Sequence, residues 1–159
     1  MPFFHTAGCV MATLGTIQAR ATHAFLPAFD PGRLLELIET ERGAVMLGVP
    51  TMMIAMMEHP DFLRRDLSSL RVAVAGGASV PPEIVRAIET KLCVTFSIVY
   101  GQTEACPLIT MTRLDDAMEE KANTVGQPLP QCAVKVADPM TGEPMPLGAI
   151  GEVCARGYM

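Results

Sequence analysis

The sequence has 159 residues, of which 50% are hydrophobic, so it can bury a sizeable core as one domain or as part of a larger one. The 12 Lys and Arg side chains against 17 Asp and Glu give a formal net charge of −5, with no basic cluster. This charge argues against nucleic acid and anionic membranes as main partners, so a contact with a phosphorylated ligand would have to be local.

The cysteines and the apolar runs indicate the cellular compartment in which the protein is expected. The five cysteines are odd in number and contain no Cys-x-x-Cys pair, so we expect neither a disulfide framework nor a zinc site, and a reducing, cytoplasmic location. The longest apolar run, residues 44–57, is too short to cross about 30 Å of hydrocarbon, so we expect no transmembrane segment. No charged leader is visible and both ends break off in mid-pattern, which suggests a piece of a longer protein.

The first part of the chain alternates helical and strand-like segments. Residues 6–20 mix small and apolar side chains without a polar face, which predicts a well-buried helix, and residues 22–27 predict a short strand. Asp30 is placed to N-cap a helix that opens with Pro31. Behind it, leucines and an isoleucine fall on one stripe while glutamates face outward.

The same alternation continues to about residue 101. Apolar runs of strand length alternate with segments of roughly ten residues that open with proline. This pattern is typical of an α/β fold, a mostly parallel sheet wrapped by helices and connected by right-handed crossovers. The predicted elements are a strand at 44–48, a helix from Pro50 to before Pro60, a strand at 71–77, a helix at 81–92 and a strand at 94–101.

The character of the sequence changes near Val125. The rest of the chain is rich in Pro and Gly and lacks a helical period. Residues 132–138 and 151–157 alternate like antiparallel strands on either side of a turn-rich loop. We therefore expect an α/β subdomain at 1–125 and the start of a β-rich subdomain at 126–159.

The first of two strand ends suited to a ligand follows the run at 71–75. Small residues at such a point let a flat ring or a phosphate approach the backbone, and ligands of open α/β sheets bind beyond the carboxyl ends of the strands. On this motif alone, a tight turn that merely needs glycine is the simpler explanation, and it stays open. The residues are Gly76, Gly77, Ala78 and Ser79.

The second strand end is the stretch from Tyr100 to Glu104. Tyr100 offers a stacking face to a base, and Gly101 permits close backbone approach. The Thr103 hydroxyl suits a phosphate oxygen, and Glu104 is a hard oxygen ligand for Mg²⁺ held on substrate phosphates. The alternative is an ordinary helix start in which Thr103 and Glu104 cap neighbouring amides. Two such strand ends, about 24 residues apart, favour one shared nucleotide site.

With these motifs in place, the sequence resembles the adenylate-forming superfamily of acyl-CoA synthetases, firefly luciferases and peptide-synthetase adenylation domains. The resemblance covers essentially the whole chain, and among the branches it is strongest to medium-chain fatty acyl-CoA synthetases. It implies that residues 1–125 are a partial nucleotide- and acyl-binding subdomain of the large N-terminal domain of those enzymes. The motifs are "MPFFHTAG", "GGASVPPE", "YGQTE" and "VGQPLP…GEVCARGY", in the family's order.

The resemblance implies a ligase that uses ATP, Mg²⁺ and coenzyme A. A fatty or other carboxylic acid attacks the α-phosphate of ATP to give an acyl-adenylate, and a thiol then displaces AMP. The expected partners are ATP or AMP, the acid and coenzyme A, with self-association into a homo-oligomer left open. An aryl-CoA ligase or a carrier-protein adenylation domain is the alternative within the family, and a truncated, non-catalytic binding or assembly protein is the alternative outside it.

The resemblance also implies roles for single residues. His5 would orient the acyl carboxylate, Thr103 would bind the α-phosphate and Glu104 would hold Mg²⁺, and these three would be the catalytic residues. Ala7 and Gly8 would join His5 in binding the substrate. The nucleotide would lie against Gly76, Gly77, Ala78, Ser79, Tyr100, Gly101, Gln102 and Thr103.

Simpler explanations exist for two of these features. Taken alone, His5 beside two phenylalanines is most simply a core histidine. The family motif around it favours a role in binding the substrate instead. Four methionines form one stripe of the helix after Pro50, which favours core packing over pocket lining; they are Met52, Met53, Met56 and Met57. In the family, a phosphate loop lies upstream of "PFFH", and a ribose-binding Asp and a catalytic Lys lie downstream of "GYM". The chain is therefore expected to hold half a site and to be inactive alone.

Overall fold

A computed structural model describes residues 1–158 and contains two β-sheets. In the larger sheet, three longer strands run parallel and two short strands continue the sheet in antiparallel pairing. This confirms the predicted α/β class. In spatial order the strands are β1 (Val45–Gly48), β2 (Val72–Gly76), β3 (Thr95–Tyr100), β4 (Thr110–Met111) and β5 (Gln127–Pro128).

The predicted helices are present. Asp30 caps the helix Pro31–Thr40 as expected, since its carboxylate accepts the Arg33 N–H at 2.8 Å, with Pro31 at the first helical position. Within residues 1–158, no helix combines the length and apolar character needed to cross a bilayer. The helices are a π-helical stretch (Ala7–Leu14) that continues into α1 (Gly15–Gln18), then α2 (Pro31–Thr40), α3 (Pro50–Met57), α4 (Pro82–Leu92) and α5 (Met118–Asn123).

Two predictions for the N-terminal region are wrong. The first helical stretch is not well buried, because Ala7 and Gly8 are its buried residues and the remainder is half-buried or exposed. No strand forms at residues 22–27. These residues make no backbone hydrogen bond to another described segment, so a strand has no ladder to join. Phe25 packs edge-on against Phe3 instead, at 4.9 Å between ring centroids.

The core lies between one face of the large sheet and helices α2 to α5. Alternate strand residues such as Met46, Ala73 and Phe96 point into it. Met53 and Met56 are fully buried there, which confirms core packing for that part of the methionine stripe. The helical contribution to the core is Leu35, Ile38, Met53, Met56, Val85, Ile88, Leu92 and Ala122.

The opposite face of the sheet is only partly covered. The intervening strand residues, among them Leu47, Val74 and Val99, line a cavity of about 940 Å³ beneath the first helical stretch and residues 21–29. Met52 lies along this cavity rather than in the core. The four methionines therefore divide between the two faces.

The smaller sheet is a two-stranded antiparallel ribbon, β6 (Ala133–Ala137) and β7 (Glu152–Arg156), as predicted. The larger sheet extends to β5, just past the boundary expected at residue 125. The division into subdomains at 125 remains a prediction.

A charged cluster fastens the end of α2 to the segment that leads into β2. The Asp66 N–H and the Arg65 guanidinium both donate to the Glu39 carboxylate at 2.8 Å. These donors, the backbone amide first, lower the pKa of Glu39 below its ordinary range.

The central strand β3 is held along its far edge by side chains. Because β4 has only two residues, much of that edge has no backbone partner. The Phe96 N–H donates to the Glu89 carboxylate at 2.9 Å, and the Ile98 N–H donates to the Thr112 hydroxyl at 2.8 Å. The buried Lys121 ammonium lies 3.2 Å from the same Glu89 oxygen. An ion pair between the buried Lys121 and the half-buried Glu89 therefore supports the strand that leads to Tyr100.

Replacement of Lys121 by Met tests this arrangement. Met keeps much of the volume but leaves the Glu89 carboxylate without its cation, and removing one partner of a buried pair costs roughly 3–5 kcal/mol. We expect the free energy of unfolding in urea to fall by about 3 kcal/mol. Lys91→Met, at an exposed site in α4, should change it by less than about 0.5 kcal/mol. Equal effects of the two variants would show that the pair does not anchor β3.

Candidate active site

Parallel pairing brings the carboxyl ends of three strands to one edge of the sheet. Gly48 of β1 lies beside Ala75 of β2, and Gly76 of β2 lies beside Val99 of β3. The loops that follow β2 and β3 therefore start side by side. This is the edge at which open α/β sheets bind ligands.

A cavity of about 140 Å³ opens at this edge, between the strand ends and the start of the first helical stretch. It brings together residues from four segments that the sequence separates by up to about a hundred positions. Seven of the predicted site residues line it: His5, Ala7, Gly76, Gly77, Gly101, Gln102 and Thr103.

The two glycines after β2 are needed for different reasons. A Cβ on Gly76 would lie 2.6 Å from the Val99 carbonyl oxygen, so the neighbouring strand excludes a side chain there. Gly77 has a φ of +80° and open space around it, so its backbone conformation is what calls for glycine. Ala78 and Ser79 follow as exposed residues. The backbone at Gly77 is thus accessible to a flat ligand.

The loop after β3 is closed by its own backbone. The Ile109 N–H donates to the Tyr100 carbonyl at 2.9 Å, and Tyr100 pairs with Thr110. A Cβ on Gly101 would lie 1.7 Å from the Pro107 carbonyl oxygen. The sequence predicts that Gly101 allows close approach of a ligand; in the structure the tight contact is with the loop itself. Gly101 therefore fixes the loop shape.

Thr103 and Glu104 stand in a single 3₁₀ turn, Thr103–Ala105, rather than at the start of a longer helix. Both are exposed, and within residues 1–158 neither side chain makes a hydrogen bond or an ion pair. The capping alternative for these two side chains is not supported, because no amide is capped. Both groups are open to a ligand.

His5 is exposed, so in this chain it is not a core histidine. A turn fixes its backbone, with the His5 N–H donating to the Pro2 carbonyl at 3.1 Å. Its Nδ1 accepts the Ala7 N–H at 3.1 Å. The ring is thus held at the start of the helix while its other nitrogen makes no hydrogen bond within the described chain.

The remaining predicted residues do not line the small cavity. Gly8 is buried, and a Cβ there would lie 2.1 Å from the Pro2 carbonyl oxygen, so its small size serves chain packing. Ala78, Ser79, Tyr100 and Glu104 lie in the two loops beside the lining residues.

Sequence reasoning missed much of the cavity wall. Thr6 lines the cavity, and its Oγ1 is buried without a hydrogen-bond partner. An orphaned hydroxyl of this kind calls for an explanation, and a bound ligand is one. Only the position of Thr6 next to His5 could have indicated it. The apolar part of the wall comes from Met11, Leu47, Val99, Pro107 and Leu108, which have no motif to mark them.

The metal-binding potential of the site rests on Glu104. No group of three or more His, Cys, Asp or Glu side chains that could hold a metal ion occurs among residues 1–158. Mg²⁺ is commonly held by one or two carboxylates together with substrate phosphates. The open Glu104 carboxylate fits that pattern and would need a phosphorylated ligand to complete the coordination.

Comparisons with known proteins show which family the chain resembles. A family model described as AMP-binding enzyme matches residues 1–159. YngI of Bacillus subtilis (strain 168), named provisionally as an acyl-CoA synthetase, is 40% identical over 99% of this chain and 29% of its own length. The mitochondrial medium-chain acyl-CoA ligase ACSF2 of Bos taurus is 36% identical over 99% of this chain and 26% of its own length.

A solved structure gives the same result. ATP-bound MatB from Rhodopseudomonas palustris matches with a TM-score of 0.88 at 30% identity, covering 99% of this chain and 30% of that chain. The fold of this chain therefore has a counterpart in a protein that was solved with ATP bound. The chain spans less than a third of the length of each of these relatives.

A pair of glycine variants tests the two loop arguments. Gly101→Ala drives a methyl group into the Pro107 carbonyl, so we expect the free energy of unfolding to fall by about 3 kcal/mol or more. Gly77→Ala meets no atom and should cost only about 1–2 kcal/mol for its left-handed backbone. Urea unfolding followed by circular dichroism measures both, since the chain has no Trp. A smaller loss for Gly101→Ala than for Gly77→Ala would contradict the packing role of Gly101.

Proposed function

The chain belongs to the family of AMP-binding enzymes, and from that premise we propose that it is the nucleotide-facing part of an AMP-forming acyl-CoA synthetase. The whole protein would activate a carboxylic acid with ATP and transfer the acyl group to coenzyme A. The observation that carries this proposal is the cavity at which His5 meets the loops after β2 and β3.

In the proposed reaction the substrates themselves supply the reacting groups, so the site has to position the substrates more than it has to provide reactive side chains. A carboxylate is a poor acyl donor because oxide is a poor leaving group. Attack of its oxygen on the α-phosphate of ATP forms a mixed anhydride and releases pyrophosphate, and AMP is then a good leaving group. A thiolate attacks the acyl carbon, the thioester forms and AMP departs. The protein contributes mainly alignment and charge neutralisation.

The nucleotide roles follow from the two loops. We propose that adenine lies on the open backbone at Gly77 and Ala78, flanked by Gly76 and Ser79. Tyr100 at the end of β3 stacks on the ring. The α-phosphate lies near the loop after Tyr100 and is bound by the Thr103 hydroxyl, with Gly101 and Gln102 beside it. The Thr103 side chain has no hydrogen-bond partner among residues 1–158, which supports this assignment.

The acid enters from the other side of the cavity. We propose that His5 orients its carboxylate, while Ala7, small and on the cavity wall, leaves room for the first carbons of the acyl group. Gly8 contributes indirectly, because it lets the chain at Pro2 pass close and so fixes the turn that carries His5. The apolar lining suits an alkyl chain.

Glu104 is the proposed Mg²⁺ ligand. The ion would neutralise phosphate charge during pyrophosphate release. The exposed carboxylate, without a cation or amide partner among the described residues, is free to take this role. Coenzyme A is the proposed thiol. The reducing cytoplasm is the proposed compartment, on the argument from an odd number of cysteines.

Glu104→Gln, in the full-length polypeptide that carries this chain, tests the metal role. Gln keeps the shape but loses the charge, so we expect acid-dependent ATP–pyrophosphate exchange to fall about 100-fold at limiting Mg²⁺, with partial recovery at high Mg²⁺. Glu58→Gln, an exposed glutamate at the end of α3, is the matched control and should leave the rate unchanged. An unaltered rate for Glu104→Gln would remove this residue from the metal.

The isolated 159 residues should be inactive. In the family, the phosphate loop, the ribose-binding Asp and the catalytic Lys belong to segments on either side of the motifs present here. We expect no acid-dependent ATP–pyrophosphate exchange from this chain, and exchange from the full-length polypeptide with fatty or aryl acids. Exchange by residues 1–159 alone would overturn the half-site proposal. A full-length protein that ignores ATP and every acid but self-associates would favour a non-catalytic role.

A further inference from the structure

We propose that Thr6 is a specificity residue of this site, and that its hydroxyl binds a polar substituent next to the carboxylate of the acid. The substituent is a hydroxyl or keto oxygen on the second or third carbon. The proposal rests on the function proposed above and specifies the class of acid. It gives the hydroxyl no part in the transfer of the acyl group or of a proton.

Thr6 lines the small cavity, and its hydroxyl differs from the other polar groups of the chain. Among residues 1–158, Oγ1 of Thr6 is the one buried side-chain nitrogen or oxygen atom without a hydrogen-bond partner. Most buried hydroxyls have a partner, and leaving one unpaired costs more than a typical hydrogen bond contributes. The unpaired hydroxyl therefore indicates a partner that lies outside the described chain.

Helix capping does not explain this threonine. Threonine is common at helix starts because its oxygen accepts a free amide of the first turn. Thr6 occupies the N-cap position of the first helical stretch, but its side chain caps no amide. The Gly8 and Cys9 N–H groups both donate to the His5 carbonyl at 2.9 Å. The Ala7 N–H donates to His5 Nδ1 at 3.1 Å. The amides that a cap would satisfy are thus already paired.

The next two threonines along the chain show the other common arrangement. In a helix, a threonine hydroxyl can donate to a carbonyl of the preceding turn. The Thr13 hydroxyl donates to the Gly8 carbonyl at 2.9 Å, and the Thr16 hydroxyl donates to the Ala12 carbonyl at 2.6 Å. Thr6 makes no such bond. Neither of the usual structural roles of a helical threonine therefore accounts for it.

The rest of the cavity wall indicates what the hydroxyl meets. None of the described residues that line the cavity is Asp, Glu, Lys or Arg, and the wall is largely apolar, with Met11, Leu47 and Leu108. Valine has almost the shape of threonine and would suit such a wall without an unpaired group. An unsubstituted alkyl chain offers the Thr6 hydroxyl no partner, whereas an acid with an oxygen beside its carboxylate does.

The place of Thr6 next to His5 sets where on the acid that oxygen lies. His5 is the proposed contact of the carboxylate, so the adjacent residue meets the carbons that directly follow it. Oγ1 is shielded from solvent in the structure, so binding requires a rotation about χ1 of Thr6. Threonine in a helix has two accessible χ1 rotamers. Its hydroxyl donates to a keto oxygen and both donates to and accepts from a hydroxyl.

Matched acids and isosteric variants of the full-length polypeptide test this proposal. The acids are an unsubstituted medium-chain fatty acid and its 2- and 3-hydroxy and keto derivatives, compared by kcat/KM in acid-dependent ATP–pyrophosphate exchange. We expect the wild type to prefer at least one substituted acid. Thr6→Val should lower kcat/KM for that acid about 3- to 10-fold and leave the unsubstituted acid and the KM for ATP unchanged. Thr6→Ser, which retains the hydroxyl, should retain the preference.

The same ratios separate the competing explanations. A hydroxyl that holds only a water molecule or another segment of the polypeptide would give Thr6→Val no effect, or an equal effect on all the acids, and either result would overturn the proposal. Absence of exchange with every acid in the wild type would instead count against the proposed function.

Thermal unfolding without substrate checks the missing partner independently of enzymatic activity. Thr6→Val removes a hydroxyl that has no partner among the described residues, so we expect the midpoint temperature of the full-length polypeptide to stay the same or rise. Thr13→Val is the matched control at another half-buried threonine. It breaks the bond to the Gly8 carbonyl and should lower the midpoint by about 1–4 °C. An equal fall for Thr6→Val would reveal a protein partner and refute the proposal even in an active ligase.

Discussion

The site depends on one register, the parallel pairing of β2 with β3 that sets Gly76 beside Val99. A slip of one residue would turn every side chain of a strand to the opposite face and move the start of its loop. Gly76 is part of what specifies the register, because its missing side chain makes room for Val99. The loops after both strands then leave the sheet together, and the cavity exists because they do.

The register between β2 and β3 can position the site only if β3 is also held on its other side, which faces β4. There the antiparallel neighbour is short, and side chains replace the missing ladder. The Thr112 hydroxyl accepts the Ile98 N–H, and the Glu89 carboxylate accepts the Phe96 N–H. This need for an acceptor explains why the Glu89–Lys121 pair lies at the boundary of an apolar core. Glu89 accepts the Phe96 N–H, which has no backbone acceptor on the β4 side, and the buried Lys121 ammonium pairs with that carboxylate. A polar network in the core thus follows from the length of β4.

Much of this fold was predictable because the elements follow local rules. Proline at helix starts, the Asp30 cap and apolar runs of strand length indicated α2 to α4 and β1 to β3. Elements defined by tertiary pairing were missed, since β4 and β5 have two residues each and no periodicity. The same reason accounts for the strand wrongly expected at residues 22–27, whose composition suits a strand that no neighbour pairs with. In the site, motifs located the loops, but the cavity wall and the orphaned Thr6 hydroxyl depend on packing that sequence spacing does not encode.

Groups near the site fall into two classes by their hydrogen bonding. Backbone groups have partners within the protein, whereas the side chains expected to bind a ligand have none among the described residues. Backbone groups around the site are paired, as in the contact between Ile109 and Tyr100, and the His5 ring is fixed through Nδ1. The side chains that would meet a ligand, those of Thr103 and Glu104, have no partner among the described residues. A binding site benefits from this combination, because a fixed backbone reduces the entropy lost on binding while open side chains need not break internal bonds first. The core on the other face of the sheet supplies the stability that such open groups do not contribute.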